Sequence, residues 1–102
     1  MKSIFKFVKL EKATDNKHKW VMTLFNTKTN KMNNIKFGAK GYDDFTIHKD
    51  EKRKRLYQIR HQNDRLDDES TPGALSMFIL WNKPTVEESI KDYLKYFGIE
   101  KY

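Results

Sequence analysis

The sequence predicts an α+β fold in which a three-stranded antiparallel N-terminal sheet packs on three C-terminal helices. The first 38 residues contain three short β-branched and aromatic runs separated by polar turns, which is typical of an antiparallel meander. Residues 73–85 form the densest apolar stretch, and a helix that is apolar nearly all round must be buried between other elements. Residues 86–97 carry an apolar stripe of helical period. A chain of 102 residues predicts a single domain, divided into a meander (1–38), an ordered loop (39–49) and a helical half (50–97).

The predicted strands span residues 3–10, 20–25 and 31–37. In the first strand, strict alternation places Ile4, Val8 and Leu10 on one face and Phe5 and Phe7 on the other.

The glycines at the end of the sheet indicate backbone that turns sharply or approaches another element closely. Gly38, Lys40 and Gly41 form a candidate anion-binding loop, because successive amides in such a turn can converge on a negative group. The following loop is expected to be anchored by Phe45 and Ile47.

A first helix is predicted to begin at Lys49 or Asp50 and to end near Arg65. Its only aliphatic residues are Leu56 and Ile59, so most of it is expected to be solvated or to face a polar partner.

The next two helices have clear boundary signals. Thr71 as N-cap with Pro72 at the first position starts the central helix, which runs to Trp81. Thr85 with Glu88 is a capping box that starts the last helix, and Gly98 is its expected C-terminal residue.

The charge is uneven along the chain. The net charge is +7, of which +6 lies in residues 1–44, +4 in residues 45–66 and −3 in residues 67–102. A basic front suggests an anionic partner, although a solvated lysine-rich surface gives the same pattern. With no Cys, a disulfide framework and a thiolate metal site are excluded. We expect a protein that is neither secreted nor inserted into a membrane, because no signal peptide or transmembrane stretch is visible.

One long run and several shorter segments that follow it in order match a known family. The long run is FGAKGYDDFTIHKD (37–50). The shorter segments are RK (53–54), Tyr57, RH (60–61), GALS (73–76), ILWNKPT (79–85), SI (89–90) and DY (92–93). Together these segments resemble an uncharacterised family of small basic proteins encoded by nucleocytoplasmic large DNA viruses, the chlorella-virus and mimivirus relatives. Leu66, Pro72 and Met77 depart from the residues usual in that family. The resemblance implies a viral source, a role in the particle or its assembly, and a location in the virion or the infected host cell cytoplasm.

The candidate binding residues are basic or aromatic and cluster on the first predicted helix: Lys49, Lys52, Arg53, Lys54, Tyr57, Arg60 and His61. They predict docking on acidic surfaces of other viral proteins. The alternative is sequence-nonspecific binding of DNA or RNA through phosphates, with Tyr57 stacked on a base. Asp50 with Lys54 and Glu51 with Arg55 could instead pair along a solvated face.

A third hypothesis is a metal-dependent nuclease using the carboxylates and imidazoles of Asp43, Asp44, His48, Asp50 and His61. No recognised ligand spacing is present, and loop capping explains these residues more simply. Tyr42, Phe45, Tyr96 and Tyr102, and an outward Met77, would suit a protein interface. We therefore expect a non-enzymatic structural or adaptor protein without cofactor or metal, for which a small-molecule substrate is unlikely.

Overall fold

The computed structural model of the protein describes residues 3–62 and 66–102. One sheet in the order β3-β2-β1-β4 is formed by β1 (Phe5–Lys12), β2 (His18–Asn26), β3 (Lys31–Ala39) and β4 (Glu100–Lys101). The helices are α1 (Phe45–His48), α2 (Glu51–Arg60), α3 (Pro72–Leu75) and α4 (Val86–Phe97), and α3 continues into a π-helical turn, Ser76–Leu80. The α+β class is therefore confirmed.

Over the described residues the sheet is mixed and has four strands, whereas the sequence predicted only the three antiparallel ones. After α4, Gly98 adopts a left-handed conformation (φ 65°) that turns the chain back toward the sheet. Ile99 is buried, and Glu100 lies beside Lys6 in a parallel pairing of β4 with β1. A strand of two residues has no readable period, so sequence patterning could not indicate it.

A β-bulge at Val8 changes the faces predicted for β1. Phe7 pairs with Leu24 and Lys9 pairs with Thr23, so Val8 is the extra residue. Because a bulge shifts the alternation by one position, Phe7 and Leu10 both pack against the core. The prediction that these two side chains lie on opposite faces was wrong.

The apolar segment after Thr71 lies at the centre of the core, as predicted. Leu75, Ile79, Leu80 and Trp81 are buried in one cluster with side chains from the sheet and with Tyr93 of α4. The π-helical turn closes with Trp81 N–H donating to the Ser76 carbonyl at 3.2 Å. Such a turn contains one residue more than an α-helical turn, and Leu80 and Trp81 at its end are both buried.

Two predictions of outward side chains were wrong. Met77 is buried, and Phe45, at 2% exposure, belongs to the core instead of supplementing the surface aromatics. The aromatics Tyr42, Tyr96 and Tyr102 are exposed, as the interface hypothesis required.

The predicted helix starts are confirmed. Thr71 Oγ1 accepts from Ala74 N–H and Thr85 Oγ1 accepts from Glu88 N–H, each at 3.2 Å. By contrast, α2 ends at Arg60 instead of continuing toward Arg65, which lies outside the described residues.

The loop predicted for residues 39–49 contains the short helix α1. Asp44 caps it by accepting from Thr46 N–H at 2.9 Å, and Lys49 ends it in a left-handed conformation (φ 56°). Phe45 anchors the segment as expected, but Ile47 is 57% exposed and does not.

Candidate functional site

Helix α2 packs on the core through polar and aromatic side chains. The Tyr57 ring is stacked on the Trp81 ring with centroids 4.2 Å apart and planes 4° from parallel. Gln58 Nε2 donates to the Trp81 carbonyl, and Lys54 Nζ donates to the Asn82 carbonyl, both at 3.1 Å. These bonds satisfy carbonyls at the end of the π-helical turn, where no helical N–H is available. The inward face of α2 is therefore set by Lys54, Tyr57 and Gln58.

The aliphatic residues of α2 point away from the protein. No residue of α2 is buried, and Leu56 and Ile59 are 47% and 52% exposed. At about 100° per residue, Lys52, Leu56 and Ile59 lie on the side opposite the packed one. We call Lys52, Leu56 and Ile59 the outer face of α2. Arg55 flanks it on one side, and Arg53 and Arg60 flank it on the other.

One of the predicted basic residues, Lys54, is already engaged by contacts within the fold. Lys54 forms an ion pair with Glu51 at 3.2 Å and lies 4.5 Å above the Phe45 ring. The predicted pairing of Lys54 with Asp50 is wrong, because Lys54 pairs with Glu51 instead. The Asp50 carboxylate caps α2 by accepting from the Lys52 and Arg53 N–H groups.

Other predicted basic residues are available to a partner. Lys49 is exposed, although its Nζ also donates to the Thr46 carbonyl at 2.9 Å. Lys52 and Arg60 are exposed as well, and so is Arg55, which was not among the candidate residues. Arg53 Nη1 lies 3.8 Å from Asp43 Oδ2, a loose contact between two half-exposed groups that contributes little stability.

Tyr57 cannot stack on a nucleic-acid base as predicted. Trp81 covers one face of its ring, and His61 covers the other with centroids 4.2 Å apart. A base would have to displace one of these rings first. The nucleic-acid hypothesis therefore keeps its basic residues but not the stacking contact of Tyr57.

Two backbone N–H groups of the candidate anion-binding loop already donate hydrogen bonds to carbonyls of this chain and are not available to an anion. Lys40 N–H donates to the Lys17 carbonyl at 3.0 Å, and Tyr42 N–H donates to the Ala39 carbonyl at 3.3 Å. Gly38 is explained by packing, since a Cβ there would lie 2.9 Å from Leu80 Cδ1. Gly41, with φ at +90°, has open space around it and serves the turn.

A cleft of about 340 Å³ opens where this loop meets α2. Leu80 and Trp81 lie at its base, Arg53 and Arg60 line the α2 side, and Tyr42 and Asp43 line the loop side. Lys19, at the end of the sheet, also lines the cleft. The volume of the cleft lies within the range of small-molecule sites, which is about 300–1,000 Å³.

One wall of the cleft is fixed by a buried ion pair. Lys19 Nζ lies 2.6 Å from Asp44 Oδ2, with the side chains only 14% and 3% exposed. Asp44 also accepts from both Thr46 N–H and the Thr46 hydroxyl. Because the carboxylate has several donors, its burial is compensated and the wall is rigid.

The carboxylates and imidazoles of the nuclease hypothesis have structural roles. His48 Nδ1 accepts from Asp50 N–H at 2.9 Å, so the proton of the neutral ring is on Nε2, which is buried near Trp81 without a hydrogen-bond partner in the described part of the chain. Asp44 and Asp50 cap helices, and Asp43 lies beside Arg53. Among residues 3–62 and 66–102, no three His, Cys, Asp or Glu side chains are grouped closely enough to hold a metal ion.

Sequence reasoning missed two residues of the cleft. Lys19 precedes the predicted start of the second strand, and nothing nearby in the sequence indicates its buried partner 25 positions away. Tyr42 was predicted only as one of the aromatic residues that would suit a protein interface. Its position after Gly38 and Gly41 in a basic loop could have indicated an exposed contact residue.

The comparisons with known proteins give a family but no activity. A family model described as a family of unknown function (DUF5754) matches residues 8–61, more than half of the chain, so the chain belongs to this family. The matched part runs from β1 through α2 and includes most of the cleft. A search of curated proteins and a search of solved structures each found no match. Within the described ranges, no helix is long and apolar enough to cross a membrane.

Proposed function

Because the family to which the chain belongs has no described function, we propose one from the site. The chain is a non-catalytic adaptor that docks the outer face of α2 on an acidic protein surface. A large DNA virus as the source, and a role in the particle or its assembly, are part of this proposal. They are supported only by the resemblance of residues 37–97.

The single observation that carries the proposal is the reversed polarity of α2. Its packed face is polar and aromatic, while its two aliphatic side chains, Leu56 and Ile59, are about half exposed. A surface that binds only phosphates needs cations and gains nothing from aliphatic side chains. A protein interface uses both, with an apolar centre and a polar rim.

The charge of α2 indicates an acidic partner. The helix contains five basic residues and one acidic residue. Arg53, Arg55 and Arg60 surround the outer face, so an acidic rim on the partner would be complementary. Such charges mainly accelerate encounter and select the partner, while burial of Leu56 and Ile59 supplies affinity.

A second candidate function is sequence-nonspecific nucleic-acid binding. The exposed Lys52, Arg53, Arg55 and Arg60 favour it, since each can contact a phosphate. The stacked position of Tyr57 argues against it, as described above.

Cross-linking tests the adaptor function. In cells that produce the chain, a lysine-reactive cross-linker should join Lys52 to one acidic protein. Replacing Leu56 and Ile59 with Ser should abolish this product at a cost of only a few tenths of a kcal/mol per site, because both side chains are about half exposed and Ser is a slightly weaker helix former. Met32→Ser is the matched control, since Met32 is 46% exposed on another surface, compared with 47% for Leu56. If the double variant cross-links as well as the control, α2 does not dock through its outer face.

Two further measurements separate the alternatives. Retention on duplex DNA that falls by orders of magnitude between about 50 and 200 mM salt, and that is unaffected in the Leu56 and Ile59 variant, would favour the nucleic-acid function. For the viral part of the proposal, the chain should occur at fixed stoichiometry in purified virions. Its absence from virions and from assembly intermediates would refute that part.

A further inference from the structure

The cleft between the loop and α2 combines two guanidinium groups on one side. Arg53 and Arg60 are seven positions apart, or about two helical turns and 10.5 Å, so they project from the same flank of α2. Both are exposed and line the cleft. Their long side chains can converge on one anion, and a planar guanidinium binds phosphate oxygens through two parallel N–H donors.

The opposite wall offers an unused aromatic ring. Tyr42 is 73% exposed, whereas the rings of Tyr57 and Trp81 are stacked on each other. A planar group entering the cleft can therefore stack on Tyr42 without displacing a core contact. Ser76, Gly38 and Ala39 also line the cleft and could bind the polar edge of such a group.

The carboxylates of the cleft differ in their availability. Asp44 is neutralised by Lys19 and is buried, so it adds little net repulsion toward an anion. Asp43 is 57% exposed and is held only loosely, with its Oδ2 3.8 Å from Arg53 Nη1. An incoming anion would compete with the Asp43 carboxylate for Arg53, so Asp43 is expected to weaken the binding of an anion in this cleft.

We propose that this cleft binds a phosphorylated nucleoside, with the phosphate on Arg53 and Arg60 and the base stacked on Tyr42. The ligand is a free nucleotide or the phosphorylated end of a single strand, which present the same chemistry. A base is favoured over the phenol ring of a phosphotyrosine, because only the base has a polar edge that Ser76 and the neighbouring Gly38 and Ala39 could bind. The proposal is independent of docking through Lys52, Leu56 and Ile59.

Calorimetric titration with adenosine monophosphate tests the assignment. Binding should saturate, and it should exceed that of adenosine or inorganic phosphate, each of which has half of the recognised chemistry. Arg53→Ala and Arg60→Ala should each weaken binding about tenfold, whereas Arg55→Ala on the other flank of the same helix should change it less than about twofold. If Arg55→Ala weakens binding as much as Arg53→Ala, the attraction is only general charge and the cleft assignment fails.

A gain of affinity gives a second test that misfolding cannot imitate. Asp43→Asn removes the competing carboxylate and should tighten binding about two- to fivefold at low salt. Glu87→Gln makes the same charge change on the exposed first turn of α4, outside the cleft, and should have no effect. Weaker or unchanged binding by the Asp43 variant would overturn the proposal.

The ring contact and the ligand source are resolved by further probes. Tyr42→Ala should weaken nucleotide binding about fivefold or more while Tyr42→Phe retains it, because stacking needs the ring and not the hydroxyl. A short oligoadenylate with a terminal phosphate that binds more tightly than the monophosphate indicates a strand end, and the reverse order indicates a free nucleotide. Tighter binding of phosphotyrosine than of either would refute the nucleoside.

Discussion

Replacing Gly38 with Ala tests how closely the sheet approaches the buried helical segment. Gly38 has φ at +77°, and a Cβ there would lie 2.9 Å from Leu80 Cδ1 and 3.2 Å from Lys19 Cβ. A side chain at such a φ costs about 1–2 kcal/mol, and overpacking a core contact costs about 1–3 kcal/mol. Alanine also restricts the backbone of the unfolded chain more than glycine does, which raises the free energy of unfolding by about 0.4–1 kcal/mol. We therefore expect the free energy of unfolding to fall by about 3 kcal/mol.

Gly41→Ala is the matched control for this prediction. Gly41 also has a positive φ, +90°, but an added Cβ would meet no atom within 4 Å. Only the backbone strain applies, so the expected loss after the unfolded-state correction is about 1 kcal/mol. Urea denaturation followed by far-UV circular dichroism measures both variants. If Gly38→Ala costs no more than Gly41→Ala, Gly38 does not serve packing and the reasoning is refuted.

Three other perturbations test the core residue Trp81 and two titratable groups, Asp15 and Tyr93. Trp81→Ala should lower the free energy of unfolding by about 3–5 kcal/mol, because Trp81 is buried against Tyr57, and a loss below about 1 kcal/mol in urea denaturation would contradict its core position. Hydrogen bonds, first from the His18 side chain, lower the pKa of Asp15. The ionised Asp15 carboxylate therefore stabilises the fold near neutral pH, and this contribution is lost as the pH falls below about 4. In an acid titration of the free energy of unfolding, Asp15→Asn should show less of this loss. Burial, and then the charge of Glu69, raises the pKa of Tyr93, so the free energy of unfolding should fall above about pH 10, where Tyr93 ionises only in the unfolded chain. Tyr93→Phe should remove this alkaline loss, while the unpaired Glu69 carbonyl costs about 1–3 kcal/mol. An unchanged alkaline profile would contradict the assignment.

The parts of the fold that sequence reasoning predicted correctly are those with local causes. A capping hydroxyl at Thr71 or Thr85 acts on an amide three positions away, so the signal and its effect lie in the same short window. The same holds for Gly98, whose left-handed conformation depends on its own missing side chain. The burial of Leu75, Leu80 and Trp81 was predicted from local composition, since a short helix with so many apolar side chains must be covered by other elements.

The errors have long-range causes. The bulge at Val8 depends on the register of β1 against β2, which one strand's sequence does not determine. The burial of Asp44 depends on Lys19, a partner 25 residues earlier in the chain. The cleft likewise forms only where a loop and a helix from separate segments meet, so its residues could be named as basic or aromatic without being placed together.

Helix α2 shows why a correct helix prediction can still leave the function open. Two aliphatics in a polar helix would ordinarily be assigned to the packed face, because burying apolar area drives docking of a helix. Here Tyr57 makes the inward contact through a parallel stack on Trp81, and Lys54 and Gln58 satisfy carbonyls at the end of the π-helical turn. Leu56 and Ile59 are thereby left about half exposed, where they contribute little to the stability of this chain. Side chains that the fold does not use are the ones available to a partner, and the proposed docking surface follows from that reversal.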